Sequence, residues 1–212
     1  MTKLRLDITL SLDGFVAGPN ASLEDPLGQG GMRLHEWAFA AASWRTQHRL
    51  SGGEANVDSD VLQESLDAIG AVVMGRRMFS GGEGPWAEDP NANGWWGDDA
   101  PYAVPVFVLT HHAREPLFLG GGSFTFVTDG FEATLAQARA VAGDKDVLVA
   151  GGATLAQQYL AAGLLDELQI HVVPLFLGDG VRLFDQIDPT VDLELTRVIE
   201  SPTVTHLRYR VK

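Results

Sequence analysis

The first regular pattern lies at the start of the chain, where residues 4–12 alternate between apolar and polar side chains. A period of two suits a β-strand and not a helix. Residues 71–74 and 104–109 are continuous apolar runs, the first of them closed by Gly75. Such runs are typical of strands that are buried on both faces. The first half therefore has three predicted strands, and the spacing of apolar residues predicts helices over residues 32–48 and 60–68.

The second half of the chain repeats a strand, a turn and a helix. Each predicted helix stops at a glycine, Gly143 or Gly163, which is a common way for a helix to end. Strands that alternate with helices of this length indicate βαβ units, in which a largely parallel sheet has helices on both faces. The predicted elements are strands over residues 124–128, 147–150 and 168–173 and helices over residues 131–141 and 154–162.

The end of the chain follows a different pattern. Two stretches of alternating residues flank the turn residues 201–203, which predicts an antiparallel hairpin over residues 192–211. The sheet should therefore be mixed, with most of its strands parallel. Neither an internal repeat nor a linker divides the sequence, so we expect a single three-layer α/β domain over residues 1–212.

Composition and charge narrow the possible functions. Of the 212 residues, 45% are hydrophobic and 20% are charged, which is ordinary for a globular protein. Lys and Arg number 15 against 28 Asp and Glu, a formal net charge of -13, and so acidic a surface repels nucleic acid and anionic membranes. The sequence has no Cys, no metal-binding motif and no apolar run long enough to span a membrane. We therefore expect a cytoplasmic protein that acts on a small molecule, without a metal, nucleic-acid or membrane partner.

Residues 81–101 form an unusual segment, with three of the five Trp and no Lys or Arg. A loop of this length inside a compact domain is usually functional or disordered, and its Trp content argues against disorder. The segment could simply bury its Trp side chains on the body of the protein or at a subunit contact. It could equally form a lid or wall of a substrate pocket.

Three junctions between a predicted strand and the following turn carry groups suited to an anionic ligand. In open α/β sheets, ligands bind at the carboxyl ends of the parallel strands, where these junctions lie. Glycine lets the backbone approach a phosphate, a helix start offers free N–H groups, and arginine adds a planar charged fork. The junctions are residues 73–77, 109–114 and 150–154.

Several short motifs together resemble the dihydrofolate-reductase-like superfamily, and most closely its branch related to the reductase domain of the bifunctional riboflavin-biosynthesis deaminase-reductase. The motifs are Ser-Leu-Asp-Gly-Phe-Val-Ala-Gly at 11–18, Met-Gly-Arg at 74–76, Val-Leu-Thr at 108–110, Val-Ala-Gly-Gly at 149–152 and Gly-Leu-Leu-Asp-Glu-Leu at 163–168. The resemblance spans nearly the whole chain. It implies a three-layer α/β fold, NADPH as hydride donor and, often, a homodimer.

The same resemblance implies a set of cofactor contacts. The Gly151-Gly152 peptide bond is expected to be cis, as it is in that family. The implied contacts are Val16 and Ala17 on the nicotinamide side, Gly75 and Arg76 at the phosphates, Thr110 with His111 or Arg114 at the adenosine 2′-phosphate, and Gly151, Gly152, Ala153 and Thr154 around the pyrophosphate.

The sequence also departs from its relatives near the substrate. Dihydrofolate reductases keep a carboxylate in the first helix, before an aromatic residue, and the nearest acid here is Glu36. The riboflavin branch usually has Glu before the glycine pair, where this chain has Ala150. These departures argue against folate and the riboflavin intermediate as substrates.

Asp13 and Glu36 are the candidate catalytic residues. Asp13 precedes Gly14 and is most simply a turn residue, although it lies beside the expected nicotinamide position. Glu36 fits a solvated helix face or the wall of a substrate cleft. The sequence thus predicts an NADPH-dependent reductase of a small heteroaromatic or carbonyl substrate. The alternative is a catalytically silent nucleotide-binding protein of the same fold.

Overall fold

The structure, a computed structural model, describes residues 2–97, 100–185, 187 and 190–212. Its strands are β1 (Leu4–Ser11), β2 (Phe15–Ala17), β3 (Ile69–Gly75), β4 (Val106–Leu109), β5 (Leu117–Leu119), β6 (Gly122–Val127), β7 (Asp146–Val149), β8 (Glu167–Val173), β9 (Val181–Arg182), β10 (Leu193–Glu200) and β11 (Thr205–Val211). Its α-helices are α1 (Glu36–Ala40), α2 (Ala42–Gln47), α3 (Val57–Ala68), α4 (Arg76–Ser80), α5 (Phe131–Val141) and α6 (Ala153–Ala161). Short 3-10 helices cover Gly31–Leu34 and Trp86–Glu88.

One nine-stranded sheet organises the molecule, in the order β10-β11-β8-β1-β7-β3-β4-β6-β5. The strands from β8 to β6 run parallel, and the pairs at both edges are antiparallel. The mixed, mostly parallel sheet and its closing hairpin, β10–β11, confirm the predicted fold class. Strands β7, β3 and β4 are neighbours and run parallel. The three predicted junctions, which follow the carboxyl ends of these strands, therefore lie side by side at one edge of the sheet. Strand β5 was not predicted, because three residues are too few to show a period.

Both faces of the central strands are covered. Leu6 on β1 packs in one core with Val73, Val149 and residues of α5 and α6. The alternate residues of β1 point to the other face, where Ser65 of α3 contacts Asp7. The polar half of the β1 pattern is therefore largely buried and not exposed to solvent, with Asp7 beneath α3.

The predicted helix over residues 32–48 is wrong as a single element, because the chain breaks there into a 3-10 helix, α1 and α2. Ala41, between α1 and α2, has extended backbone angles (φ -70°, ψ 137°). The Glu54 N–H donates to the Ala40 carbonyl at 2.7 Å, and the Ala42 N–H donates to the Glu54 carbonyl at 2.9 Å. A distant segment thus takes the backbone bonds that a continuous helix would need, and apolar spacing cannot reveal such a partner.

Helix α3 begins earlier than the predicted residue 60. The Asn56 side chain accepts a hydrogen bond from the Ser59 N–H at 3.0 Å, so the helix is capped there and starts at Val57. In the part of the chain that the structure describes, no helix has both the length and the apolar character to cross a membrane.

Candidate functional site

The glycine pair after β7 forms an open cradle. The peptide bond between Gly151 and Gly152 is cis. Gly152 is the N-cap of α6, and no side chain caps the first amides of that helix. The Gly75 N–H, at the end of β3, donates to the Gly151 carbonyl at 3.2 Å. Among the described residues, apart from the adjoining ones along the chain, none has an atom within 4 Å of where a Cβ would stand on Gly152 or Gly75. The cradle therefore has room for an anion beside the helix start.

The other residues expected around the cradle lie at the same edge. Ala153 is buried and Thr154 is exposed in the first turn of α6. Val16 and Ala17 lie in β2, which follows β1, the other neighbour of β7. Strand β2 pairs with β9, so these two residues stand on a small hairpin beside the main sheet.

Arg76, the first residue of α4, is not an open phosphate ligand. Only 7% of it is exposed, and its Nη2 donates to Asp89 Oδ2 at 2.5 Å. The guanidinium carbon also lies 3.6 Å from the centre of the Trp86 ring. Nε and Nη1 of Arg76 are buried and have no hydrogen-bond partner among the described residues. Asp89 and Trp86 thus occupy part of the Arg76 guanidinium group, and two of its donor atoms, Nε and Nη1, have no partner among the described residues.

Arg114 reaches the same aromatic ring, with its guanidinium carbon 4.7 Å from the Trp86 centre. It donates to the carbonyl of Ala92 and, at 3.3 Å, to Asn93 Oδ1. Burial, with the nearby charge of Arg76, holds the pKa of Arg114 below its ordinary value. The two arginines therefore lie against the same ring, and the segment 81–101 contacts both of them.

Thr110 and His111 differ in their surroundings. Thr110 is buried, and its hydroxyl accepts the His112 N–H at 3.1 Å, so it stabilises the turn after β4. His111 is exposed at that turn. Their role at a 2′-phosphate stays a prediction.

The segment 81–101 lies over this edge of the sheet, although Asp98 and Asp99 are outside the described residues. Trp86 packs against Phe126 and Trp96 against Phe124, with ring centres 4.9 and 5.8 Å apart. Trp95 is largely exposed. Two of the three Trp are thus partly buried against the body of the protein, while the segment also forms one wall of a cleft of about 460 Å³. The cleft is lined by Ser22, Leu23, Pro26, Arg77, Gly82 and Asp89, among others.

Asp13 is held by the loop that follows β8. Its carboxylate accepts hydrogen bonds from the Gly178 N–H at 2.8 Å, the Leu177 N–H at 3.2 Å and the Ser11 hydroxyl at 2.5 Å. Desolvation raises the pKa of Asp13, but these hydrogen bonds outweigh it and hold the pKa below its usual value. This geometry agrees with a turn residue that anchors a loop. Glu36 lies exposed at the start of α1. A catalytic role for either residue stays a prediction.

A buried chain of four ionisable side chains was not anticipated from the sequence. Asp7 Oδ1 lies 2.6 Å from His171 Nε2, and His171 Nδ1 lies 2.6 Å from His206 Nδ1. His206 Nε2 lies 2.9 Å from Asp58 Oδ1. The exposed fractions of the four side chains, from Asp7 to Asp58, are 15%, 2%, 1% and 4%.

These four hydrogen-bonded side chains join three strands to α3. His171 on β8 lies directly opposite His206 on β11. The Trp37 ring packs on both imidazoles, with centres 4.7 and 5.2 Å away. Burial lowers the pKa of the neighbouring His35 to about 4, and the charge of His171 adds to this effect. The available sequence signal was the polar residue at every second position of strands whose other face is apolar.

Comparisons with known proteins agree with this architecture. The curated relative YyaP of Bacillus subtilis (strain 168), an uncharacterized protein, is 23% identical over 212 residues, covering 95% of this chain and 92% of its own. A solved structure from Shewanella sp. PV-4 is 21% identical, with a TM-score of 0.66 over 100% of this chain and 99% of that one. Enterococcus faecalis dihydrofolate reductase, complexed with NADP(H), is 14% identical, with a TM-score of 0.52 over 99% and 96%.

The mixed sheet, the helices on it and these solved structures define a dihydrofolate-reductase-like α/β fold. More narrowly, the chain belongs to the RibD C-terminal domain family, whose model matches residues 2–207.

Proposed function

We propose that this protein is an NADPH-dependent reductase that transfers a hydride to a small heteroaromatic or carbonyl substrate. The observation that carries the proposal is the open cradle at Gly152, at the start of α6 and beside the end of β3. Membership of the RibD C-terminal domain family supports a reductase-type protein. The same edge of the sheet is where open α/β folds bind nucleotides.

The residues at this edge fit the proposed cofactor. Gly151, Gly152 and Thr154 would hold the pyrophosphate through backbone N–H groups and a hydroxyl. Arg76 has two buried donors without protein partners, which suit the oxygens of an anion, and with Arg114 it would hold the 2′-phosphate. When bound, the cofactor supplies the hydride.

The remaining residues would line the site of hydride transfer. Val16 and Ala17 would lie on the nicotinamide side, on the hairpin next to β1. The cleft of about 460 Å³ between residues 21–26 and the segment 81–101 would take the small substrate. Arg77 at this cleft is already paired with Glu83 at 2.5 Å, so the cleft has little unpaired positive charge for a substrate anion.

A titration followed by a substrate panel tests the proposal. Reduced-nicotinamide fluorescence should change on addition of NADPH, and a panel of small carbonyl and heteroaromatic compounds should then include one that accelerates NADPH oxidation. Binding without oxidation of NADPH by any compound would favour a catalytically silent nucleotide-binding protein. Absence of NADPH binding would contradict both functions.

We also propose that the protein is a homodimer. Strand β10 is an edge of the sheet and carries three exposed apolar side chains, Leu193, Leu195 and Val198. An edge with such side chains favours pairing with another copy. A second chain against β10 would cover them.

A further inference from the structure

The segment 81–101 places a carboxylate and an aromatic ring on a single guanidinium group. Asp89, whose side chain is 3% exposed, binds Arg76, and the Trp86 ring lies against the same guanidinium. The Trp86 indole N–H donates to the His112 carbonyl at 2.6 Å, which fixes the ring over the turn after β4. Asp89 and Trp86 therefore occupy the place at which the proposed function puts the adenosine 2′-phosphate.

These two groups imitate the chemistry of that ligand. An arginine binds an adenosine phosphate by a charge-assisted hydrogen bond to the anion and by stacking on a flat aromatic ring. Asp89 supplies the anion and Trp86 supplies the ring. Arg114 repeats the arrangement, because it contacts Trp86 and donates to the Ala92 carbonyl of the same segment.

Asp89 is held firmly as an anion. Its Oδ2 accepts from the Ser80 hydroxyl at 2.7 Å as well as from Arg76, and its Oδ1 accepts from the Asn91 N–H at 2.8 Å. Desolvation raises the pKa of Asp89, but the hydrogen bonds from Ser80 and Arg76 outweigh it and keep the carboxyl ionised at neutral pH. A dianionic phosphate on Arg76 would thus approach a fixed negative charge, which Coulomb repulsion opposes.

Part of the segment can move without breaking the sheet. Among its described residues it has only turns and the 3-10 helix Trp86–Glu88, and no strand. Most of the contacts that hold it over α4 are side-chain contacts, chiefly those of Asp89 and Trp86, beside one backbone bond from the Trp95 N–H to the Phe79 carbonyl at 3.3 Å. Such segments open at a lower free-energy cost than core strands.

We propose that Asp89 is a specificity-determining residue of the cofactor site, an internal competitor that must leave Arg76 before a 2′-phosphate can bind there. This inference rests on the proposed function. Its consequence is a selective penalty on NADPH: the cofactor without a 2′-phosphate, NADH, does not need Arg76 and does not compete with Asp89.

Calorimetric titration of the full chain with NADPH and with NADH tests the inference. Asp89→Asn removes the competing charge, so NADPH should bind about tenfold more tightly, while NADH affinity should change by less than about twofold. Asp144→Asn is the control, since it removes an exposed carboxylate that precedes the start of β7, at the other end of that strand from the glycine pair. Both affinities should remain unchanged in this variant.

Ser80→Ala is the second variant, in case Asp89→Asn alters the fold. It removes one hydrogen bond to Asp89 and no charge, so NADPH should bind about threefold more tightly. Circular dichroism melts would establish that each variant is folded.

The outcomes separate this inference from the proposed function. An unchanged ratio of NADPH to NADH affinity in both variants would overturn the inference and leave the proposed function standing. Weaker NADPH binding in Asp89→Asn would also overturn it, because Asp89 would then be a positioning residue for Arg76. No binding of either cofactor to any of these proteins would overturn both.

Discussion

His171 and His206 face each other across β8 and β11, with their Nδ1 atoms 2.6 Å apart. One ring must donate and the other accept, and each ring also turns its Nε2 towards a carboxylate, Asp7 or Asp58. Three hydrogen bonds among these four groups require three shared protons, which leaves the four side chains together with one net negative charge. Each charged group thus has a hydrogen-bond partner beneath α3, where an unpaired charge would be costly.

Breaking this chain should destabilise the protein. His206→Phe removes the partner of Asp58 and of His171, both almost fully buried, so the free energy of unfolding should fall by about 3–5 kcal/mol. Urea unfolding measures this loss. His111→Gln, at an exposed histidine, is the control and should change stability by less than about 0.5 kcal/mol. Equal stability of both variants would show that these four hydrogen-bonded side chains have no structural role.

Stability should fall as the pH falls below the ordinary histidine range. In the folded state, burial lowers the pKa of His35 from its ordinary 6.5 to about 4, and burial also lowers the pKa of His206. Between these values the unfolded state binds protons that the folded state does not, so acid favours unfolding. We expect a loss of about 2 kcal/mol between about pH 7 and pH 4.5 from His35 alone. Urea unfolding of His35→Gln should show a shallower pH dependence, and an identical slope would contradict this assignment.

Gly152→Val should abolish NADPH binding and leave the fold intact. The new side chain would meet no described atom within 4 Å of its Cβ, but it would fill the space beside the first turn of α6 that an anion needs. Calorimetry measures the binding, and a circular dichroism melt measures the fold. Ala162→Val, exposed at the opposite end of the same helix, is the control and should bind NADPH normally. Undiminished binding to Gly152→Val would place the cofactor elsewhere.

Arg76→Ala should weaken NADPH binding by roughly ten- to a hundredfold and NADH binding much less. The reason is that a hydrogen bond to a charged group contributes about 1.5–3 kcal/mol, and only NADPH offers a 2′-phosphate to this guanidinium. Calorimetry with both cofactors measures the two losses. Because the alanine leaves Asp89 without its buried partner, Arg76→Lys should accompany it as the folded variant that keeps the charge. Equal losses for both cofactors would place Arg76 away from the 2′-phosphate.

Leu195→Glu should convert the proposed homodimer to a monomer. Leu195 is 53% exposed on the edge strand β10, and a carboxylate there would be buried without a partner in the dimer. Light scattering on wild type and variant measures the change in mass. A monomeric wild type at all working concentrations would contradict the dimer itself.

Local patterns in the sequence predicted much of the fold. Strand β1, the parallel direction of the central strands and the hairpin β10–β11 follow from apolar periodicity and turn residues, which act over a few neighbouring residues. The same holds for the glycine pair after β7, because its position between a strand and a helix can be read from the sequence. The cis bond at Gly151-Gly152 was implied by family resemblance and not by any local pattern.

The sequence by itself thus determined most of the elements, the mostly parallel sheet with its closing hairpin, and the side of the sheet on which Gly75, Gly152 and Thr110 lie. Only the tertiary structure decided which side chains neutralise one another. Asp89 meets Arg76 and His171 meets His206 across 13 and 35 residues, and Ala41 breaks a predicted helix because Glu54 binds its neighbours. Contacts of this kind depend on how distant segments pack, because a buried charge or backbone group is costly without a hydrogen bond. The local periodicity of the sequence carries no information about such distant partners.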